Sequence, residues 1–464
     1  MRIRANSRAR TLWALLAILL STLPPALYAG GNEAPFQIPP SGKLEELVSG
    51  RGYQGPSHLT FDSCNRPYLL HSFANSKGDK RPDMAGKITT WRDGKWVQFS
   101  FRSAIADIAG EFAFDLLKHG IGSITIDSDD HLYCIAQTCS PSSRKKDKGY
   151  YLVYSPDLGK SFQAYRLPVK NWIGAHLETR TGHNLKKGAP AIAYIKGYGE
   201  KVSPFSRRNV LSICVPQKKN GRLILEPVEV TRLCFGLGAH SGGHSFAVTT
   251  GRLTHFVYAE YNPEIKGNPT YVATYDRESR KVVAKKHLFN ATPRKVDVHS
   301  TPVITVDSKG HLHVVGGAHA GPFLYTRSLK PDTIQEGWTQ PARMSFSQTY
   351  AALACDGRDV LHAMYRSYPG GGVVYQSKPA QGDTWSKRVP FVLKPKSQKR
   401  GYMCFYHQLV RDRADNLYAC FTYFGTGNKS NMPRVLVASE DGGATWQQVR
   451  SEDIRRRLIE KPGP

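Results

Sequence analysis

Two short stretches of this chain hold titratable side chains at spacings that a β-hairpin would bring together. In QTYAALACDGRDVLHAMYRS, Gln348 to Ser367, an apolar run separates Tyr350 from Arg366, and a tight turn is expected at Asp356–Asp359. Residues equidistant from a turn face each other across an antiparallel pair, so Tyr350 falls opposite Tyr365 or Arg366. In HSTPVITVDSKGHLHVVGGAHA, His299 to Ala320, a turn at Asp307–Gly310 sets His299 opposite Ala318 or His319. Tyr406 holds in its own stretch the position that Tyr350 holds, and His240 sits where His299 does, with His244 four residues on. His, Tyr and Arg therefore gather at one end of successive hairpins, with few carboxylates among them.

That inventory separates reaction types. Glycoside hydrolysis ordinarily uses two carboxylates, or a Tyr nucleophile assisted by a Glu in sialidases. Neither pairing stands out here. β-Elimination on a uronic acid instead needs a cation to neutralise the carboxylate, a base for the C5 proton and an acid for the leaving oxygen. Arg binds a carboxylate in a bidentate way, and a phenol beside a guanidinium can act as base or acid. Taken singly, a strand-end Tyr is more often a core residue with a wet hydroxyl, and a lone His more often a satisfied core group. Their co-location favours a site. His313 and His362, inside the second strands of their hairpins, are read as structural.

The elements that must position these residues are an internal repeat. An apolar strand, a D-x-x-G-like turn and a second strand recur as SHLTFDSCNRPYLLHSF from 57, GSITIDSDDHLYCIAQT from 122, SFAVTTGRLTHFVYAEY from 245, and in the copies from 301, 350 and 406. A weaker copy, APAIAYIKGYGEKV, starts at 189. Further strand pairs follow most copies. Two of these contain S-x-D-x-G-x-[ST]-[FW], with Ser155, Asp157, Gly159, Ser161 and Phe162, and with Ser439, Asp441, Gly443, Thr445 and Trp446. This is the Asp-box, whose Asp and hydroxyl groups cap a tight turn over a packed aromatic. Seven four-stranded units predict an all-β, seven-bladed β-propeller spanning 51–464 as a single domain, with residues 30–50 a leader or ring-closing segment. The tail SEDIRRRLIEKPGP is expected to be a solvated end.

The first residues, MRIRANSRAR followed by TLWALLAILLSTL, have the basic and apolar regions of a signal peptide, assigned to 1–29. No later run approaches the roughly 20 apolar residues of a membrane span, so a secreted or periplasmic chain is expected. The formal net charge is +27, and removing Arg2, Arg4, Arg8 and Arg10 with residues 1–29 leaves +23. For an exported protein that points to an acidic polysaccharide rather than nucleic acid. A monomer is expected. The eight cysteines, at 64, 134, 139, 214, 234, 355, 404 and 420, are irregularly spaced with no C-x-x-C pair, and most sit in apolar strands. Cys404, His407 and Cys420 are the candidate ligands of a structural metal, with no evident fourth.

The segment VDVHSTPVITVDSKGHLHVVGGAHAGPFLYTRS, followed by QTYAALACDGRDVLHAMYRS, resembles the propeller-type ulvan lyases and their relatives built on a variant neuraminidase (BNR) repeat. The 20-residue interval from His299 to His319 and the 16-residue interval from Tyr350 to Arg366 carry the resemblance, which is closest over about 240–425. It implies a polysaccharide lyase acting on a sulfated, uronate-containing glycan and leaving an unsaturated uronate. Arg366 would neutralise the carboxylate, His299 and Tyr350 would divide the acid and base work, and His319 and Tyr406 would bind substrate. The resembled pattern follows its first histidine with Asn. Here Ser300 follows His299, His183–Asn184 lies elsewhere, and His240 and His244 stand in reserve. The chemistry so implied needs no cofactor, while a structural zinc or calcium is compatible with the family. The Asp-boxes leave open a sialidase-like hydrolase, and a propeller can also be a noncatalytic carbohydrate-binding module.

Overall fold

The repeat is built by one local device. In five hairpins an Asp ends the first strand, and its Oδ1 accepts the amides two and four residues on: Cys64 and Arg66 for Asp62, Asp129 and His131 for Asp127, Lys309 and His311 for Asp307, Arg358 and Val360 for Asp356, Ala414 and Asn416 for Asp412. The residue three after each Asp has positive φ: Asn65 61°, Asp130 64°, Gly310 87°, Asp359 58° and Asp415 69°. Asn, Asp and Gly tolerate that conformation best, so they recur there.

The other carboxylate oxygen reaches the side chain six residues on, inside the second strand. Asp62 takes the Tyr68 hydroxyl at 3.1 Å and Asp127 the Tyr133 hydroxyl at 3.3 Å. Asp307 and Asp356 each meet a His Nε2 at 3.2 Å, from His313 and His362. The Nδ1 atoms of those imidazoles face Tyr325 Oη at 2.9 Å and Tyr375 Oη at 2.6 Å. At His313 the carboxylate can only accept, so Nε2 donates to Asp307 and the Tyr325 phenol donates to Nδ1, whereas the approach of His362 Nε2 to Asp356 lacks hydrogen-bond geometry. These buried relays hold His313 and His362 within the sheets, in keeping with a structural role.

This computed structural model describes residues 58–71, 86–110, 113–114, 123–139, 149–168, 174–196, 201–203, 206–207, 209–236, 245–291, 301–317, 321–367, 372–392, 404–423 and 434–460. All lie in the unit Ala34–Pro464; the other unit, Met1–Glu33, is outside the described residues, as are the expected signal peptide and the segment 30–50. Among the described residues no helix is long and apolar enough to cross a membrane.

The chain is an all-β propeller. Most of its described strands sort into seven antiparallel groups of four, led by His58–Phe61, Ile124–Ile126, Gly174–Leu177, Ala247–Thr250, Val303–Val306, the second half of Ala342–Cys355, and Cys404–Arg411. Ala113–Phe114 adds to the second group, and the short pairs Lys201–Ser203 with Ser206–Arg207 and Gln217–Lys219 with Arg222–Ile224 stand outside them. The long strand Ala342–Cys355 serves two groups: its first half pairs with Gly321–Arg327 and its second with Val360–Ser367. Strand alternation sends apolar side chains to both faces of each group. Seven buried clusters result, each shared by consecutive groups. The last joins Leu59, Phe61 and Leu69 of the first group to Val410, Tyr418 and Leu436 of the seventh.

Polar clamps reinforce the same neighbours. Asp130 accepts from Ser63 N and Oγ, Asp359 from Ser308 N and Oγ, and Asp415 from Gly357 N. Between first and last groups, Asn65 donates to Asp412 and to Arg457 O and accepts from Arg413 N, while Leu59 N donates to Gln408 Oε1. The positive-φ turn residue thus does two jobs, closing its own turn and holding the turn beside it.

Two expectations are corrected. The copy from 189 does not open a hairpin: Ile192–Lys196 pairs with Gly174–Leu177 before it and Asn209–Cys214 after it. Between those first two strands the chain inserts a 3-10 turn, Gly182–Asn184. Nor are residues 451–460 of the tail a solvated end. The helix Ser451–Arg456 buries Ile454, Arg457 lies over the Tyr418 ring at 5.6 Å, and Ile459 N donates to Cys64 O. Ile454 supplies an apolar contact against the first and last groups, which the charged run around it obscures.

Candidate active site

Tyr350 and Arg366 meet at the end of their hairpin away from the turn. Cys355 pairs with Leu361 and Ala352 with Met364, but the register then shifts, so that Tyr350 and Ala351 together oppose Tyr365 and Thr349 pairs with Arg366. This extra residue is a β-bulge. Tyr350 occupies it with φ 61°, a conformation that costs a bulky side chain on the order of 1–2 kcal/mol. The bulge swings the phenol ring onto the guanidinium: Arg366 Cζ lies 4.5 Å from the ring centroid. Arg366 Nη2 donates to Thr349 Oγ1 at 3.1 Å. Both residues are buried, Tyr350 at 4% and Arg366 at 1% exposure, so a carboxylate brought to this guanidinium would be held in a low-dielectric setting where the attraction is strong.

The next group braces this bulge. His407 Nε2 lies 3.1 Å from Met364 O, and the imidazole also hydrogen-bonds the Tyr350 backbone. Burial pushes the His407 pKa down to about 4, against the opposing pull of those two backbone contacts, and the Arg366 charge lowers it further. His407 is therefore neutral at ordinary pH. The same bulge recurs one group on, where Tyr406 and His407 lie between the paired residues Phe405–Thr422 and Gln408–Cys420. Tyr406 thus has the backbone position of Tyr350, as the alignment of copies predicts.

Of the expected site residues, Tyr350 and Arg366 are brought into contact. His240, His244, His299 and His319 lie outside the described residues, and Tyr406 is described for its backbone alone. The expected metal trio is not assembled by its described members. His407 turns toward Met364, whereas Cys420 packs with Leu59, Val410 and Leu436. Successive residues of a strand face opposite sides, and Cys420 is opposite Gln408 rather than His407; the Cys404 side chain lies outside the described residues. No disulfide joins the six described cysteines.

His183, of the His183–Asn184 pair, is at the other, turn end of the sixth hairpin. Its Nε2 lies 2.9 Å from Asp356 O, and with Cys355 and Asp359 it offers three ligand atoms within 4.8 Å of one another. The fit to a metal is partial. The imidazole already faces a carbonyl, and burial together with the Asp359 and Asp356 carboxylates pushes the Cys355 thiol far up, away from the thiolate a metal would take.

Sequence reasoning missed His407 as a brace. The only signal was the imidazole itself: YHQLVRD and YAALACD superpose His407 on Ala351, at a position that is Ser57, Gly122 and Pro302 in other copies. The bulge had no such signal, because an extra residue in one strand shows only once the partner is known.

Comparison with known proteins bears out the family resemblance. Residues 269–462 match a BNR repeat-containing family. An ulvan lyase of Nonlabens ulvanivorans is 25% identical over 230 residues, covering 41% of this chain and 48% of the relative. The chain thus spans about half the length of the curated relative it matches. Among solved structures, an ulvan lyase described as a new polysaccharide lyase family, with -[GlcA(1-4)Rha3S]- bound, is 14% identical at TM-score 0.37, covering 47% of this chain and 58% of that one. An α-L-arabinofuranosidase of Fusarium graminearum with arabinobiose is 12% identical at TM-score 0.41, covering 71% and 96%. The Trypanosoma rangeli sialidase is 11% identical at TM-score 0.38, covering 85% and 59%.

Proposed function

We propose that this chain is a carbohydrate-active enzyme, a polysaccharide lyase that cleaves a uronate-containing, sulfated glycan by β-elimination. The observation that carries the reading is the buried Arg366 guanidinium stacked on Tyr350 at a bulged hairpin end. The ulvan lyase match and the basic chain, +23 without residues 1–29, support it.

In this reading Arg366 binds the uronate carboxylate and lowers the cost of placing negative charge at C5. One of His299 and Tyr350 takes the C5 proton. The electron pair forms the C4–C5 double bond, the C4–O bond breaks, and the leaving oxygen is protonated by the other residue. The two uronate epimers present that proton on opposite faces, so the epimer sets which residue is the base. His319 and Tyr406, with His240 and His244 in reserve, bind the chain around the scissile linkage. No cofactor enters these steps. Such a substrate is extracellular, in keeping with export of a monomer through the signal sequence.

The test is to incubate the protein with ulvan and with other polyuronates and follow the ultraviolet absorbance of the unsaturated uronate. Appearance of that product supports a lyase. New reducing ends without it would replace the reading with a hydrolase, and glycan binding with no cleavage would leave a carbohydrate-binding propeller.

A further inference from the structure

The residue just before the turn Asp is apolar in four copies of the repeat: Phe61, Ile126, Val306 and Cys355. In the seventh it is Arg411. The third group makes the same exchange without the Asp. Ile126 N donates to Thr60 Oγ1 of the preceding group, and Arg180 N donates to Thr125 Oγ1 in the same way, so Arg180 stands where Ile126 does. Two arginines thus replace core residues of the repeat, and both line one cavity of about 110 Å³ together with Phe61, Gly182, Asp412 and Arg413.

These guanidiniums are buried, Arg180 at 1% and Arg411 at 8% exposure, and each is only partly satisfied. Arg180 Nη2 meets Glu178 Oε2 at 3.1 Å and Ala189 O at 3.4 Å, but its Nε and Nη1 have no hydrogen-bond partner among the described residues. Arg411 Nη1 donates to Cys355 O and Nη2 pairs with Asp415, while Nε has no partner among the described residues. A buried donor without an acceptor is costly, and a buried charged one more so.

The surrounding carboxylates carry other donors as well. Glu178 takes Ala191 N and Thr249 Oγ1 besides Arg180; Asp412 takes four donors, from Asn65, Ala414 and Asn416; Asp415 takes Gly357 N on Oδ2 and faces Arg411 Nη2 with Oδ1, leaving the Arg411 Nε unserved. Arg413 spends its donors on the carbonyls of Phe61, Asp62 and Asp127. A further cation, Arg277, shares the Ala189 carbonyl with Arg180, and its charge adds to burial in lowering the Arg180 pKa. The space is several times what one water needs. What it lacks is an acceptor with several lone pairs directed at more than one guanidinium.

We propose that this cavity, at the Asp-turn end of the strands that lead the groups, binds a tetrahedral oxyanion of the sulfate or phosphate class between Arg180 and Arg411. It is distinct from the candidate active site: Tyr350 lies five residues up its strand from Cys355, the Arg411 contact, or roughly 16 Å away. The proposal is independent of the lyase reading.

Crystals of the full chain soaked in selenate, a sulfate mimic with an anomalous signal, should show a peak within hydrogen-bond reach of Arg180 and Arg411. Ordered water there, or selenate only beside Arg366, would overturn the proposal. In solution, sulfate titrated at constant ionic strength against chloride should raise the melting temperature along a single-site curve. Arg411→Val, which restores a residue type found in the other copies, should weaken that apparent affinity by about tenfold or more, while Arg366→Met should leave it unchanged. Where Arg411→Val alters the fold, Arg180→Met makes the same measurement. An unchanged curve in a folded Arg411→Val or Arg180→Met protein would sink the site. A monosaccharide sulfate in a parallel arm separates the two sources of the group: binding by it as well as by the free ion assigns a glycan sulfate, and binding by the free ion alone assigns an inorganic ligand.

Discussion

The guanidinium carbon of Arg366 lies 4.5 Å from the centroid of the Tyr350 ring, and the contact exists because Tyr350 occupies the extra position of a β-bulge with positive φ. A cation held over an aromatic face in a desolvated setting is stabilised by about 2 kcal/mol. Position and charge are therefore coupled, and the two residues are expected to fail separately when changed separately.

Arg366→Lys keeps the charge but loses the planar fork. We expect kcat/KM on a polyuronate to fall by about 10²-fold or more, and Arg366→Ala to remove activity. Wild-type turnover in Arg366→Ala would end its assignment as the neutralising group.

Tyr350→Phe retains the ring over Arg366 and removes the hydroxyl. Its melting temperature should stay close to that of the wild type, while the elimination rate drops by about 10²–10⁴-fold, the usual worth of a positioned acid or base. A folded Tyr350→Phe protein at full rate removes the phenol from the chemistry.

His407→Leu deletes the brace between the seventh group and the Tyr350 bulge. Loss of its contacts with Met364 O and the Tyr350 backbone should cost about 1–3 kcal/mol in urea unfolding. Activity should fall further than that of a core variant of equal stability elsewhere, because the bulge it holds carries the phenol.

Acid should destabilise the fold in a defined window. Burial holds His176, His255 and His407 at a pKa of about 4 each, below the ordinary 6.5. A depressed folded-state pKa contributes stability that is full above pH 6.5 and is lost as pH falls toward 4. Unfolding near pH 5 should take up about three protons, a slope of about 4 kcal/mol per pH unit. Urea midpoints measured from pH 7 to 4 test this, and His407→Leu should reduce the uptake by about one proton.

Asn65→Ala should weaken the junction of first and last groups. It removes donors to Asp412 and Arg457 O and the acceptor for Arg413 N, and places Ala at φ 61°. A loss of about 2–4 kcal/mol is expected. Asn65→Gly, which relieves the backbone term, should lose less, and equal losses in chemical unfolding would show that the backbone contributes nothing.

The repeat was legible because its causes are local. An Asp whose acceptors serve amides two and four residues away, a positive-φ residue at the third, and a Tyr or His at the sixth leave a pattern readable within seven letters. The pairing of Tyr350 with Arg366 followed from turn geometry to within one residue. The tail was misjudged for the converse reason: its charged run hides Ile454 and Arg457, whose burial depends on the first strand group far away in sequence.

By itself, then, the sequence determined the blade hairpins, the all-β propeller class and the family likeness, since all three rest on short-range spacing. The tertiary structure alone decided three things: the bulge that turns Tyr350 onto Arg366, the brace His407 extends from the next group, and the meeting of Arg180 with Arg411 at one cavity. One unpaired residue reverses the face on which a strand's side chains emerge, and groups distant in sequence become neighbours only when the sheets pack. Neither event leaves a local trace in the chain.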